Sequence, residues 1–123
     1  MQDMKVLFVD DSPTMRRIMV NSLKKIGFTD LVEAENGEDA LEKIDGDVGL
    51  ILADWNMPEM NGKEMVEELK ANDQYKDIPI IMVTTRGTKD DVVTAVKIGV
   101  NGYIVKPFTP ETLKGKIKKV LNK

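Results

Sequence analysis

Five short apolar runs, each followed by a segment with helical spacing, govern what this chain can fold into. The runs are Val6-Leu7-Phe8-Val9, Leu31-Val32-Glu33-Ala34-Glu35, Leu50-Ile51-Leu52-Ala53, Ile80-Ile81-Met82-Val83 and Tyr103-Ile104-Val105. After the first, Met15, Ile18, Met19, Leu23 and Ile26 fall on one face of a helical period. Ser12 and Pro13 supply an N-cap and first turn, and Gly27 a stop. A short helix through Ala40, Leu41 and Ile44 follows the second run. Asn61 with Glu64 reads as a capping box opening a helix through Met65, Val66 and Leu69. Thr88 with Asp91 reads as another, opening a helix through Val92, Val93, Val96 and Ile98. Thr109-Pro110 starts a last helix with Leu113, Ile117, Val120 and Leu121.

Strictly alternating strands and helices predict an α/β fold with parallel strands and right-handed crossovers. The second run alternates apolar and charged residues, as a half-exposed edge strand does, whereas the first, third and fourth are solidly apolar. This pattern predicts a flavodoxin-like, doubly wound, five-stranded sheet in the order 2-1-3-4-5, helices on both faces, with the fifth strand at the other edge. No repeat or linker divides the chain, so residues 1–123 are read as one domain.

Composition removes whole classes of chemistry. There is no cysteine, hence no disulfide, thiolate metal site or cysteine nucleophile. There is no histidine, which excludes Ser-His-Asp triads, imidazole metal sites, histidine bases and any role as a phosphohistidine donor. A net charge of −3 gives no reason to expect nucleic acid as a partner. The apolar runs are far shorter than the roughly 20 residues that cross a bilayer, and the start of the chain has no apolar signal region. A cytoplasmic monomer, with no membrane partner, is the expectation.

Ligands of open parallel sheets bind beyond the carboxyl ends of the strands, where the strand order reverses. Here the first strand ends in Asp10-Asp11, the third in Asp54, the fourth in Thr84-Thr85 and the fifth in Lys106-Pro107. Singly, each has an ordinary reading: aspartates after strands make turns, a threonine packs a strand end, and a lysine is a solvated charge. Together they do not. Two like charges about 4 Å apart repel by about 4 kcal/mol at an effective dielectric near 20, so three converging carboxylates need a cation, a proton or wide separation. An all-oxygen set points to a hard ion, and Mg²⁺ takes few carboxylates while keeping water and phosphate oxygens. A carboxylate can also be a covalent nucleophile, and phosphoryl transfer needs alignment and charge neutralisation more than proton transfer. On this reading Asp54 attacks phosphorus, Asp10 or Asp11 and the backbone carbonyl of Asn56 hold Mg²⁺, and Lys106 and the Thr84 hydroxyl bind phosphoryl oxygens.

These residues carry a resemblance. Val9-Asp10-Asp11-Ser12, Thr14-Met15-Arg16-Arg17, Asp54-Trp55-Asn56-Met57-Pro58, Met60-Asn61-Gly62, Val83-Thr84 and Gly102-Tyr103-Ile104-Val105-Lys106-Pro107-Phe108 occur in the order seen in response-regulator receiver domains. The chain resembles that family along essentially its whole length, and within it the stand-alone chemotaxis regulators. The resemblance implies that Asp54 is the phosphoacceptor, that Asp11 and Asp54 bind one Mg²⁺ directly, and that Asp10 does so partly through water. It implies that Thr84 and Tyr103 are coupled switch residues and that Lys106-Pro107 is a cis peptide. It implies a histidine kinase as phosphodonor, slow self-dephosphorylation rather than enzymatic turnover, and a protein target, in chemotaxis the flagellar motor switch; a phosphatase is a further implied partner. Arg86 replaces an acidic residue of enteric chemotaxis members and Glu59 an amide; both sit where the family tunes phosphoryl lifetime.

With no output domain expected after Lys123, the expected output is a surface on the fourth helix, fifth strand and fifth helix. Lys89, Val96, Tyr103, Val105, Phe108, Thr112, Lys116 and Lys119 are placed there. The last helix's lysines also complement its macrodipole. Three other readings compete with this one. A phosphorelay intermediate would use the same acceptor chemistry. An aspartyl-phosphate phosphatase usually carries Asp-x-Asp on its first strand, whereas Asp10 and Asp11 are adjacent. A flavodoxin-like cofactor carrier would need a phosphate-cradling loop where those two carboxylates repel phosphate.

Overall fold

The structure is a computed structural model that describes residues 4–57 and 60–121. Its elements alternate without exception: β1 (Lys5–Val9), α1 (Pro13–Ile26), β2 (Asp30–Ala34), α2 (Gly37–Lys43), β3 (Val48–Ala53), α3 (Gly62–Lys70), β4 (Ile80–Thr84), α4 (Lys89–Ile98), β5 (Gly102–Val105) and α5 (Pro110–Leu121). The strands form one parallel sheet in the order β2-β1-β3-β4-β5, as the apolar patterning predicts. The order reverses between β1 and β3.

The pleat explains why the central strands are apolar throughout. Alternate side chains leave opposite faces of a strand, and both faces here are covered. Leu7, Val9, Ile51, Ala53, Ile80 and Met82 pack against Met65, Val66 and Leu69 of α3 and Ala95 of α4. Val6, Phe8, Leu50, Leu52, Ile81 and Val83 pack against Met19 and Leu23 of α1 and Leu113 and Ile117 of α5. Burying each of these large side chains contributes about 1.5–3 kcal/mol.

The helix signals act as their chemistry requires. The Ser12 hydroxyl accepts from the Met15 amide, Pro13 fills the first turn, and Gly27 adopts φ 117°, closing α1 through its N–H to Leu23 and Lys24 carbonyls. Asn61 and Glu64 form the reciprocal capping box of α3. The Thr88 hydroxyl accepts from the Asp91 amide, while the Asp91 carboxylate is taken by Arg86. Three expectations shift. Ile44 lies outside α2 as an extended C-cap. Ile18 is exposed, at the margin of the buried stripe of α1. Val93 and Val96 are exposed, because α4 buries the small Ala95 against the sheet instead.

Candidate functional site

The sheet's hydrogen-bond ladder runs one residue past β1, β3 and β5 and thereby assembles the site. The Asp10 N–H donates to the Ala34 carbonyl at 3.0 Å, the Asp54 N–H to the Val9 carbonyl at 2.9 Å, and the Lys106 N–H to the Thr84 carbonyl at 2.8 Å. Residues from β1, β3 and β5 are therefore fixed at one edge of the sheet by backbone geometry. Carboxylate oxygens of Asp10, Asp11 and Asp54 lie within 4.8 Å of one another at the switch point. Asp10 and Asp54 are buried and Asp11 is exposed.

Buried carboxylates need partners, and each has them. Asp10 Oδ1 accepts from the Ser12 N–H at 2.9 Å and its Oδ2 from Lys106 Nζ at 2.7 Å. Asp54 Oδ2 accepts from the same ammonium at 3.1 Å, and its Oδ1 from the Asn56 N–H at 3.3 Å. Burial alone would push the Lys106 pKa down. The hydrogen bond to Asp10 and the charges of Asp54 and Asp10 outweigh it, and the pKa is raised. Lys106 therefore stands charged between two acids. Its peptide bond to Pro107 is cis, as the resemblance implied.

Arg16 lies in the Thr14–Arg17 stretch that carries the resemblance, which assigns it no role at the site. Its guanidinium donates to the Asp10 carbonyl at 2.6 Å and lies 3.5 Å from Glu33, tying the Asp10-Asp11 corner to α1 and β2. The available signal was its place six residues after Asp10. Gly62 allows the other corner to close: its N–H donates to the Trp55 carbonyl at 2.9 Å, and a Cβ there would meet the backbone of Asp54 and Trp55. Met57 is buried in the core and Met60 packs against it.

Thr84 is fully buried, and its hydroxyl accepts from the Arg86 N–H at 3.3 Å. The Tyr103 hydroxyl donates to the Arg86 carbonyl, so the ring is turned inward. Burial, then the charge of Asp91, raises the Tyr103 pKa. Glu59 lies outside the described residues. Of the expected output set, Lys89, Val96, Val105, Thr112 and Lys119 are exposed and Lys116 is half-buried. Phe108 packs instead against the α1–α5 side of the core and, with Met15 and Ile18, lines an apolar cavity beside Lys106.

The donor set fits Mg²⁺: three hard carboxylates converge, and an ammonium already balances part of their charge. No helix among the described residues is long and apolar enough to cross a membrane.

Similarity to known proteins runs along nearly the whole chain. Residues 6–118 match the family model described as the response regulator receiver domain. The chain is 55% identical over 120 residues to the chemotaxis protein CheY1 of Helicobacter pylori, covering 96% of this chain and 97% of that protein. It is also 55% identical over 120 residues to a CheY homolog of Campylobacter jejuni, covering 96% and 92%. The solved structure of the Vibrio cholerae chemotaxis protein CheY4 superposes with a TM-score of 0.86 at 36% identity, covering 96% and 98%.

Proposed function

This chain belongs to the response regulator receiver domain family, and from that premise we propose that Asp54 is its phosphoacceptor in a two-component chemotaxis pathway. One observation carries the reading: a single ammonium, Lys106 Nζ, bridges Asp10 and Asp54 at the switch point of the sheet. A lysine so held keeps the Asp54 carboxylate aligned, and stays charged to meet the oxygens of an incoming phosphoryl group.

In the proposed step an Asp54 carboxylate oxygen forms a bond to phosphorus as the P–N bond of a phosphohistidine on a partner kinase breaks. The imidazole leaves with the electron pair and takes a proton from water. Asp10, Asp11, Asp54 and the Asn56 backbone carbonyl would hold Mg²⁺, which would supply charge neutralisation on the transferring oxygens. Lys106 binds one phosphoryl oxygen and the Thr84 hydroxyl another. When Thr84 turns to the phosphoryl group it gives up the Arg86 N–H. Arg86 in turn holds Tyr103, so the change reaches β5 and the exposed residues around it. The target is a protein that reads the α4–β5–α5 face, in chemotaxis the flagellar motor switch. Arg86 and Glu59 set how long the acyl phosphate lasts, which ends by slow hydrolysis in a monomeric, cytoplasmic protein.

Intact-mass spectrometry tests the reading directly. With Mg²⁺ and a small acyl phosphate, one phosphoryl group per chain is expected, removable by hydroxylamine as an acyl phosphate is. A hydroxylamine-stable adduct, or none, would refute it.

A further inference from the structure

Arg86, in the loop between β4 and α4, contacts two other segments at the site edge. Its guanidinium stacks over the Trp55 ring, 4.6 Å from the centroid. One terminal nitrogen donates to Asn56 Oδ1 at 3.4 Å and the other to Asp91 Oδ1 at 3.0 Å. Trp55 and Asn56 directly follow Asp54 in the chain, and the Asn56 N–H is itself on the Asp54 carboxylate. Asp91 lies in the first turn of α4. One planar group thus joins the acceptor loop to the start of a helix that borders the exposed face.

We propose that Arg86 is a positioning residue that clamps the first turn of α4 to the acceptor loop, and that phosphorylation of Asp54 opens the clamp by drawing the guanidinium away from Asp91. This rests on the reading of Asp54 given above. The physical argument is competition between anions. Asp91 offers one negative charge, and the hydrogen bond from Arg86 lowers its pKa, so it is ionised at neutral pH. A phosphoryl group offers about −1.5 to −2 and three acceptor oxygens, and a guanidinium matches such an anion bidentately. Both anions approach the same fork, Asp91 from α4 and the phosphoryl group from the Trp55–Asn56 side. The Arg86 side chain is 41% exposed, so the ion pair alone adds little to stability. Its consequence is geometric: it decides whether the start of α4 is tied to the site. The backbone of Arg86 reinforces this, because release of its N–H by Thr84 frees the same residue whose side chain holds Asp91.

Hydrogen exchange on the full chain, with and without Mg²⁺ and acetyl phosphate, tests the clamp over the amides of residues 88–92. In the wild type the donor is expected to speed exchange there several-fold. Asp91→Asn should show that faster exchange with no donor present, and the donor should add little. Arg86→Gln should do the same and also raise acrylamide quenching of Trp55. Arg86→Lys keeps the charge but loses the fork, and should fall between. If the wild type gains one phosphoryl group by mass while exchange at 88–92 stays unchanged, and Asp91→Asn matches the wild type, the clamp is overturned and the acceptor reading stands. If no phosphoryl group is gained but Asp91→Asn still loosens residues 88–92, the clamp's static half holds and its trigger is refuted.

Discussion

Lys106 Nζ donates a 2.7 Å hydrogen bond to Asp10 Oδ2 across 96 residues of sequence, and the same ammonium reaches Asp54 at 3.1 Å. The two ends of the chain meet at one charge. Two buried acids and a lysine are mutually dependent, so a change in one alters the others.

Removing the ammonium is therefore expected to do two opposite things. Lys106→Met leaves Asp10, only 1% exposed, without its counter-charge. Stability should fall by about 2–3 kcal/mol, the scale of hydrogen bonds to charged groups. Mg²⁺ affinity should rise, because Lys106 occupies oxygens that the ion would use. Urea unfolding with and without saturating Mg²⁺ checks both, and the stability gap to wild type should narrow when Mg²⁺ is present.

The same pair predicts an alkaline limb. The folded-state pKa of Lys106 is raised above its ordinary value of 10.5. Its stabilisation is therefore whole below pH 10.5 and is lost as pH climbs through the folded value. The stability difference between wild type and Lys106→Met should be flat from neutral pH to about pH 10 and shrink above it. A difference that instead grew with alkaline pH would reverse the sign of the coupling.

Gly62 offers a steric test of the acceptor loop. An added methyl would stand 2.9 Å from Trp55 Cα and still nearer the Asp54 carbonyl oxygen, and both are backbone atoms that cannot rotate away. Gly62→Ala should cost about 2 kcal/mol, as overpacking does. It should also slow phosphorylation by moving Asp54. Thermal unfolding and the rate of donor-dependent mass gain measure the two effects.

Most of this arrangement was legible because its determinants are local or periodic. Ser12-Pro13 with Gly27, and Asn61 with Glu64, are short-range signals, and the structure uses them as caps. The contrast between the alternating β2 and the solid β1, β3 and β4 gave the strand order, since only a strand covered on both faces is apolar throughout. Two things were not legible. Periodicity marked α4 as a helix without revealing that Ala95, rather than Val93 or Val96, faces the sheet, because its valines fall on more than one side. The contacts of Arg86 were hidden for a different reason. Asn56 is 30 residues away from it, and no local pattern reports which loops the fold brings together.

Trp55 makes the central claim measurable, because it adjoins Asp54 and is buried under the Arg86 guanidinium. Mg²⁺ and then acetyl phosphate should each change its fluorescence in the wild type. In Asp54→Asn the response to acetyl phosphate should vanish. A full donor response in Asp54→Asn would contradict the assignment of Asp54 as the phosphoacceptor.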